Sequence, residues 1–187
     1  MTERFKFTQT PISEVWVVER SGFEDERGSF TRMFCTEEFH DIGLKKPIVQ
    51  INHSMTKKKG TIRGMHFQLP PHAETKIVSC LKGVVFDVAV DLRSGSKTFL
   101  SWHGEKLSSK NKKSLIIPEG FAHGFQTLTN NCEVIYFVTE PYAHESERGI
   151  NAQDKRIRIQ WPLEITYLSE KDKKNMFIND DYDGVIL

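Results

Sequence analysis

The 187-residue chain lacks several features that would place it in a specialised class of proteins. Its three cysteines form no CxxC pair, which argues against a disulfide framework and against a zinc ribbon. No run approaches the roughly 18 apolar residues of a membrane helix, and the opening MTERFKFTQT lacks the apolar core of a signal peptide. We therefore expect reduced thiols, a cytoplasmic location and no association with membranes.

The chain also lacks an excess of either charge, since it contains 26 Lys and Arg residues and 25 Asp and Glu residues. Dedicated nucleic-acid-binding domains normally carry a clear basic excess, so we expect no nucleic-acid partner. The charge is nevertheless uneven, because residues 42–86 hold eight basic residues and one acidic residue, a local charge of +7. Arg63 and Lys76 stand out within this segment. Each lies in an apolar strand pattern, where a charge needs an anionic partner or ligand.

Alternation of side chains with a period of two dominates the chain. In VVFDVAVD, residues 84–91, Val84, Phe86 and Val88 share one face, and Asp87 lies on the other. Short runs of this kind between turn residues are typical of a β-sandwich or barrel. The predicted strands are 14–19, 61–68, 76–81, 84–91, 114–118 and 133–139.

Helical signals are few and lie outside these runs. Thr36 is placed to cap a short helix that continues to about Leu44, and Ser169 to Asp172 form a capping box at the start of a C-terminal helix. No repeat or linker divides the chain, so we expect one domain over residues 1–187. The predicted architecture is all-β, a closed or two-sheet fold with a few short peripheral helices and room for one ligand.

His66 is the residue best suited to acid–base chemistry. In RGMHFQ it shares a strand face with Gln68, and a neutral imidazole can act as a general base near pH 7. The alternative is a buried structural histidine. A strand metal site would need a second histidine close by and a carboxylate, and the spacing of His72 and His123 gives no reason for them to converge on His66. We expect no metal.

The alternation of side chains between the two faces of a strand limits which residues can share a site. Strict alternation places Arg63 and His66 on opposite faces, so both can reach one ligand only across an irregularity, for which Gly64 is the natural position. Tyr136 shares a face with Val134 and Val138, a pattern typical of a core aromatic.

Several catalytic templates are missing. The chain has no GxSxG elbow, no phosphate loop and no GxGxxG motif. Cys80 and Cys132 lie inside apolar strands, which does not favour a nucleophilic thiol. Asp172 already has a sufficient structural explanation as the last residue of its capping box.

Five segments, taken in order, carry a family resemblance. They are QINHSMTKKKGTIRGMHFQ, KGVVFDVAVDLRSGSKTF, IPEGFAHGF, ERGI and WPLEITYLSEKD. Together they resemble the dTDP-4-dehydrorhamnose 3,5-epimerase family of cupin-like sugar-nucleotide epimerases, over roughly Phe23 to Asp172. The resemblance implies a cupin-type β jelly-roll, a homodimer, no metal or other cofactor, and a nucleotide-linked 4-keto-6-deoxy sugar as substrate.

The resemblance also implies roles for individual residues. His66 falls at the position of the catalytic base, Asp172 at the aspartate that orients it, Tyr136 at the proton donor and Lys76 at the lysine that steadies an enolate. The positions expected to contact the sugar, the diphosphate or the base are Arg63, His123, Gln50, Asn52, Arg27, Phe23 and Tyr142.

Some positions depart from the family pattern. Ile51 stands where Asp is common, and Phe137 where Lys is common. Arg32 stands where many members carry Glu, near the expected base pocket. A donor at that place suits cytosine, whose N3 and O2 both accept hydrogen bonds. A CDP-linked substrate, and inversion at C3 or C5 alone, are therefore alternatives to a dTDP-linked substrate inverted at both carbons.

Three other functions compete with epimerisation on the sequence alone. They are a shift of the keto group between carbons, sugar-nucleotide binding without catalysis, and a metal-dependent oxygenase. A binding protein has no need of the combination of His66, Lys76, Asp172 and Tyr136. The sequence therefore favours an isomerase that inverts C3, C5 or both through an enolate.

Overall fold

Short strands make up most of the structure, a computed structural model that describes residues 4–12 and 14–187. The two helices of the described residues are α1 (Thr36–His40) and α2 (Glu170–Lys173), and neither is long and apolar enough to cross a membrane. The strands are β1 (Phe5–Gln9), β2 (Trp16–Arg20), β3 (Gly22–Asp25), β4 (Gly28–Thr31), β5 (Gln50–Thr56), β6 (Ile62–Gln68), β7 (Lys76–Lys82), β8 (Val84–Asp91), β9 (Trp102–Ser108), β10 (Lys113–Ile117), β11 (Phe121–Thr127), β12 (Cys132–Val138) and β13 (Glu147–Gly149).

Two antiparallel sheets form the jelly-roll that the sequence predicts. The six-stranded sheet has the order β1-β2-β10-β7-β12-β5, and the five-stranded sheet has the order β13-β6-β11-β8-β9. Strands β3 and β4 pair only with each other, as a separate hairpin. Neighbouring strands are often distant in the chain, so the sheets are held together by long-range contacts.

Three apolar layers hold the sheets in place. The first fills the space between them, where Val78 and Leu115 of one sheet meet Ala89 and Phe125 of the other. The second covers the outer face of the five-stranded sheet with residues from the C-terminal part of the chain, such as Ile157. The third packs helix α1, through Phe39, on the outer face of the six-stranded sheet, which includes Phe5 of β1. Burial of apolar area stabilises each layer by roughly 25 cal/mol per Å².

The alternation of β8 is confirmed on both faces. Val88 and Val90 pack outward against the C-terminal layer, whereas Val85 and Ala89 belong to the core between the sheets. Asp87 shares the inward face with them and is fully buried. The bounds of β8 are those predicted, and the other predicted strands differ by one or two residues at an end.

Strand β11 was not predicted, although every one of its residues is buried. Its sequence FAHGFQT shows no alternation, because both faces are covered and neither selects polar side chains. The predicted cap of the first helix is wrong: α1 begins after Cys35, whose side chain makes no capping hydrogen bond, and the helix ends at His40 instead of Leu44. The second capping prediction is confirmed, since the Asp172 N–H donates to Ser169 Oγ at 3.0 Å.

An irregularity in β6 lies at the predicted position. His66 pairs with His123 and Arg63 pairs with Phe125, so two residues of β6 stand opposite the single residue Gly124. Gly64 adopts a φ of +126°, and a Cβ there would lie 2.5 Å from Gly124 Cα. Such a bulge resets the alternation of the strand. Arg63 and His66 therefore point to the same face of the sheet.

Replacing Gly64 by alanine should destabilise the protein far more than replacing Gly28. The two glycines have similar φ angles, +126° and +123°, but a Cβ at Gly28 would have no atom within 4 Å, whereas a Cβ at Gly64 would meet the Gly124 backbone. The backbone cost of roughly 1–3 kcal/mol is shared by the two variants, so the excess for Gly64→Ala measures the backbone clash. Urea unfolding of the two variants and the wild type gives the comparison. Equal losses would show that the bulge tolerates a side chain.

Candidate active site

A cavity of about 520 Å³ lies between the two sheets and opens at one end of the sandwich. Polar side chains from both sheets face it, although most of the surrounding core is apolar. Its size falls within the range of small-molecule sites. The lining residues are Gln50, Asn52, His66, Phe67, Gln68, Glu74, Lys76, Tyr136, Tyr142 and Glu147.

The wall formed by the five-stranded sheet carries a histidine–aspartate pair. His66 Nε2 lies 2.6 Å from Asp172 Oδ1, although 106 positions separate the two residues in the chain. Helix α2 brings Asp172 to β6, and Ser169 fixes the start of that helix. The capping box thus places a buried carboxylate behind the imidazole.

The surroundings of Asp172 keep it ionised. Burial raises the pKa of this carboxyl, but the hydrogen bond and charge of His66, with bonds from Ser169 and the Gly64 N–H, outweigh burial and lower the pKa below its usual value. An ionised carboxylate only accepts hydrogen bonds, so the neutral imidazole carries its proton on Nε2. Nδ1 then retains its lone pair and can accept a proton.

The opposite wall, formed by the six-stranded sheet, presents a tyrosine and a lysine. Tyr136 of β12 stands between Asn52 of β5 and Val78 of β7, and Val138 stands between Gln50 and Lys76. Directly paired residues share a face, so this register directs the polar side chains of three strands into the cavity. Four residues predicted from the resemblance therefore meet here: Tyr136, Lys76, Asn52 and Gln50.

The environment of Tyr136 keeps its phenol protonated. Burial raises the pKa of Tyr136, and the negative charges of Glu74 and Glu147 raise it further, whereas the charge of Arg63 lowers it. The net direction is upward from the ordinary value near 10. At neutral pH the hydroxyl is a proton donor and not a phenolate.

Lys76 has an acidic partner that the sequence analysis missed. Glu74 Oε1 lies 2.6 Å from Lys76 Nζ, and both side chains are almost completely buried. The sequence predicts an anionic partner or ligand for Lys76, and Glu74 of the same chain is such a partner. The signal was available, since Glu74 is the single acidic residue in the basic segment 42–86 and lies on the same side of the extended chain as Lys76.

A second histidine–aspartate pair lies deeper in the core. His123 Nε2 is 2.8 Å from Asp87 Oδ1, and His123 is the strand neighbour of His66. Burial raises the pKa of Asp87, while the charges of His123 and Lys76 act in the opposite direction. Asp87 was noted only for its strand face. A lone aspartate in an apolar strand pattern was the signal that could have marked it.

Three polar side chains link the mouth of the cavity. Tyr142 Oη donates to Glu147 Oε2 at 2.7 Å, and Lys171 Nζ donates to the same oxygen at 2.6 Å. Partial burial raises the pKa of Glu147, but these two donors outweigh it and lower the pKa. The Tyr142 N–H also donates to Gln50 Oε1 at 3.2 Å. Of these residues, Tyr142 and Gln50 were predicted, whereas Glu147 and Lys171 were not.

Arg63 faces a smaller neighbouring cavity. Its guanidinium donates to Thr56 Oγ1 at 2.9 Å and to the Met55 carbonyl at 3.2 Å, and it lines a space of about 330 Å³ with Lys57 and Lys58. Its charge nevertheless lies close enough to lower the pKa of Tyr136. Arg63 therefore does not line the larger cavity, although its charge acts on a residue that does.

Three predicted residues lie away from the cavity of their own chain. Phe23 and Arg27 lie on the β3–β4 hairpin, where the Phe23 side chain is exposed and Arg27 pairs with Asp25. Arg32, just after the hairpin, pairs with Glu38 of α1 at 3.2 Å. The fold of a single chain does not bring these three side chains to His66.

Other kinds of catalytic group find no support. Residues 4–12 and 14–187 hold no group of three or more His, Cys, Asp or Glu side chains placed to bind a metal ion. Cys80 and Cys132 are buried, and burial raises the pKa of the Cys80 thiol to about 11. A thiol with such a pKa is not a nucleophile at neutral pH.

Comparison with known proteins identifies the family of this chain. The family model described as dTDP-4-dehydrorhamnose 3,5-epimerase matches residues 9–180. A dTDP-4-dehydrorhamnose 3,5-epimerase of Shigella flexneri is 46% identical over 176 residues, which are 93% of this chain and 97% of the relative.

Solved structures agree with the sequence comparison. The dTDP-6-deoxy-D-glucose-3,5-epimerase of Legionella pneumophila, in complex with dTDP-4-keto-L-rhamnose, superposes with a TM-score of 0.89 at 40% identity, covering 92% of each chain. A 3'-monoepimerase of Streptomyces bikiniensis, in complex with dTDP-quinovose, has a TM-score of 0.83 at 28% identity, covering 90% of this chain and 87% of the other. This chain therefore belongs to the dTDP-4-dehydrorhamnose 3,5-epimerase family.

Proposed function

We propose that this protein epimerises a dTDP-linked 4-keto-6-deoxy hexose at C3 and C5, with His66 as the base and Tyr136 as the acid. One observation carries the proposal. His66 lies on the five-stranded sheet and Tyr136 on the six-stranded sheet, and both face one cavity. Inversion of a carbon requires that a proton leave from one face of the sugar and return to the other. A base and an acid on opposite walls meet that requirement.

The first step is removal of a proton next to the ketone. A C4 ketone acidifies the hydrogens on C3 and C5, because the electron pair left on carbon delocalises onto O4. His66 Nδ1 takes the proton, and Asp172 on Nε2 holds the ring and stabilises the imidazolium that forms. A positioned base of this kind contributes about 10² to 10⁴ in rate.

Lys76 stabilises the enolate that results. Its ammonium faces the cavity from a nearly dry site, and a fixed cation in such a place is worth more to a developing oxyanion than one in water. Glu74 is a competing acceptor for the same ammonium. Lys76 can serve both oxygens because it has three N–H donors.

Tyr136 completes the inversion. Its phenol gives a proton to the carbon from the face opposite His66, and the ketone is formed again as the electron pair returns from O4. Protons enter and leave without any change in oxidation state, so the reaction consumes no redox equivalent. The imidazolium of His66 then gives its proton to water and the Tyr136 phenolate takes one from water, which resets both groups. The two carbons on either side of the ketone can therefore undergo the same steps in turn.

The dTDP-linked substrate is favoured over the CDP-linked alternative by the relatives. The Legionella and Streptomyces structures are complexes with dTDP sugars. The hypothesis of a cytidine nucleotide depended on Arg32 as a donor, and Arg32 is engaged with Glu38 within the chain. The role of Arg32 in reading the base stays a prediction.

We also infer a homodimer. The β3–β4 hairpin exposes Phe23 and Phe30, each over more than 70% of its surface, and Arg27 lies at its turn. Exposed aromatic pairs of this kind are typical of contact surfaces. Phe23 and Arg27 are substrate positions by resemblance, yet neither reaches the cavity of its own chain. A second copy that inserts its hairpin at the cavity mouth reconciles the two facts.

His66→Asn should abolish both inversion and exchange. The amide keeps a donor toward Asp172 but offers no base, so a loss of about 10² to 10⁴ in rate is expected. The assay incubates dTDP-4-keto-6-deoxy-D-glucose with the enzyme in heavy water and locates deuterium at C3 and C5 by NMR. A parallel reaction with the CDP-linked sugar tests the nucleotide. Exchange at the wild-type rate in the variant would assign the base elsewhere, and an inactive wild type would refute the proposed function.

Tyr136→Phe should separate exchange from inversion. Without the phenol, His66 can still remove a proton and return deuterium to the same face, so some exchange persists while most product formation is lost. In the wild type the high-pH limit of activity should lie above pH 10, because the pKa of Tyr136 is raised and the acid works only when protonated. Full product formation by Tyr136→Phe would remove this residue from the mechanism.

Mixing two defective variants tests the hairpin. His66→Asn removes the base, and Arg27→Ala removes an exposed side chain that should not affect folding. If the hairpin serves the partner's cavity, a mixed dimer contains one site with both defects and one intact site, and co-expression restores activity that neither variant has alone. Light scattering checks that the protein is a dimer. A monomer, or a mixture as inactive as its components, would contradict the inference.

A further inference from the structure

Glu74 occupies an unexpected place for a carboxylate. It lines the same cavity as His66, Lys76 and Tyr136, and its side chain is 9% exposed. The proposed reaction generates a negative charge on O4 within this cavity. A nearby carboxylate opposes that charge, and the opposition is strong where water is scarce. A role for Glu74 in the reaction must therefore favour the enolate by more than this repulsion disfavours it.

The contact with Lys76 indicates how Glu74 could favour the enolate. Lys76 Nζ lies 2.6 Å from Glu74 Oε1, a short charge-assisted bond in a nearly buried site. A lysine ammonium sits on a flexible four-carbon stem and does not by itself keep one position. The neighbouring backbone is rigid here, because the Thr75 N–H donates to Thr139 Oγ1 at 2.9 Å and the Thr139 N–H donates to the Thr75 carbonyl at 3.2 Å. The backbone next to Glu74 is thus held in place, and the Glu74 carboxylate in turn holds the Lys76 ammonium.

The strand register puts this anchored ammonium beside the proposed acid. Lys76 pairs with Val138 and Val78 pairs with Tyr136, so Lys76 is the diagonal neighbour of Tyr136 on the inward face. Diagonal neighbours on a sheet face remain within reach of long side chains. Glu74, which is paired with Lys76 and lines the same cavity as Tyr136, therefore acts on a cation that neighbours the phenol.

We propose, on the basis of the function proposed above, that Glu74 is a positioning residue that holds the Lys76 ammonium at the height of O4 and keeps Tyr136 in its protonated form. Glu74 does not touch the reacting carbons and transfers no proton. It acts through Lys76 by the ion pair and through Tyr136 by its charge.

The effect of Glu74 on Tyr136 depends on the charges that surround the phenol. Glu74 and Glu147 raise the pKa of the phenol together with burial, and Arg63 lowers it. Lys76 and His66 also face the cavity from β7 and β6. Removal of the Glu74 charge alone would leave the opposing cations in place. The phenol of a Glu74→Gln variant should accordingly ionise at a lower pH.

Glu74→Gln is the decisive variant, because the amide keeps the size of the side chain and removes its charge. We expect kcat to fall about 100-fold with KM nearly unchanged, the cost typical of a catalytic group displaced by about 1 Å. We also expect the Tyr136 phenolate to appear at lower pH. Its absorbance is isolated by subtracting the titration of Tyr136→Phe in the same background. Glu74→Asp keeps the charge and should restore the titration of Tyr136 while recovering kcat only in part.

Glu140→Gln is the matched control. Glu140 also pairs with a lysine, Lys46, at 3.1 Å, but on the surface outside the cavity, where Lys46 has Glu119 as a second partner. That variant should leave kcat and the tyrosine titration as they are in the wild type. Thermal unfolding first checks that Glu74→Gln is folded. In the folded variant, a wild-type kcat together with an unchanged titration of Tyr136 would overturn the inference. If Glu74→Gln does not fold, the same two measurements are made on Glu74→Asp, and an unchanged kcat would be the contrary result. An inactive wild type would instead refute the proposed function, and the phenolate titration would still test Glu74.

Discussion

The close approach of two glycine backbones, at Gly64 and Gly124, is the constraint on which the site depends. Strict alternation along β6 would point Arg63 and His66 to opposite sides of the sheet. The extra residue at the bulge returns both to the inward face, beside His123 on the next strand. Only residues without a Cβ allow the two strands to pass so closely. The same turn of the backbone directs the Gly64 N–H toward Asp172, so the bulge also helps to hold the carboxylate behind the imidazole.

Paired charges are the second principle of this site. The ionisable groups at the cavity form three pairs: Glu74 with Lys76, Asp172 with His66, and Glu147 with Lys171. Isolated charges would be costly in so dry a place, whereas pairs with good hydrogen bonds are tolerated. In two of these pairs the carboxyl is held in its ionised form, since the partners of Asp172 and of Glu147 lower their pKa values in spite of burial. The cations of residues 42–86 are distributed over several places: Lys76 is paired in the cavity, Lys46 and Lys82 pair with acidic residues elsewhere, and Lys57 and Lys58 lie beside Arg63.

How well each feature was predicted depends on where it lies in the structure. Strands β8 and β11 are both covered on their two faces. Strand β8 was nevertheless predicted with its bounds and faces, because its valines alternate with Asp87 and Asp91 between two turns, whereas FAHGFQT in β11 has no such alternation. His66, Tyr136 and Lys76 were found through motifs that resemble a known family. Asp87, Glu147 and Lys171 were missed, because the groups that they bond lie far away in the chain: His123 for Asp87, and each other for Glu147 and Lys171. Glu74 was missed although its partner Lys76 is only two positions away.

The all-β class, the capping box at Ser169 and the need for an irregularity at Gly64 can be read from the sequence, because each is set by neighbours within a few positions along the chain. The family follows from the motifs. The folded structure is needed to see that Asp172 meets His66, that Glu74 pairs with Lys76 inside the cavity, and that Phe23 and Arg27 lie outside the cavity of their own chain. Such contacts depend on which strands lie side by side in a jelly-roll, and that order joins residues far apart in the chain through the burial of shared apolar faces.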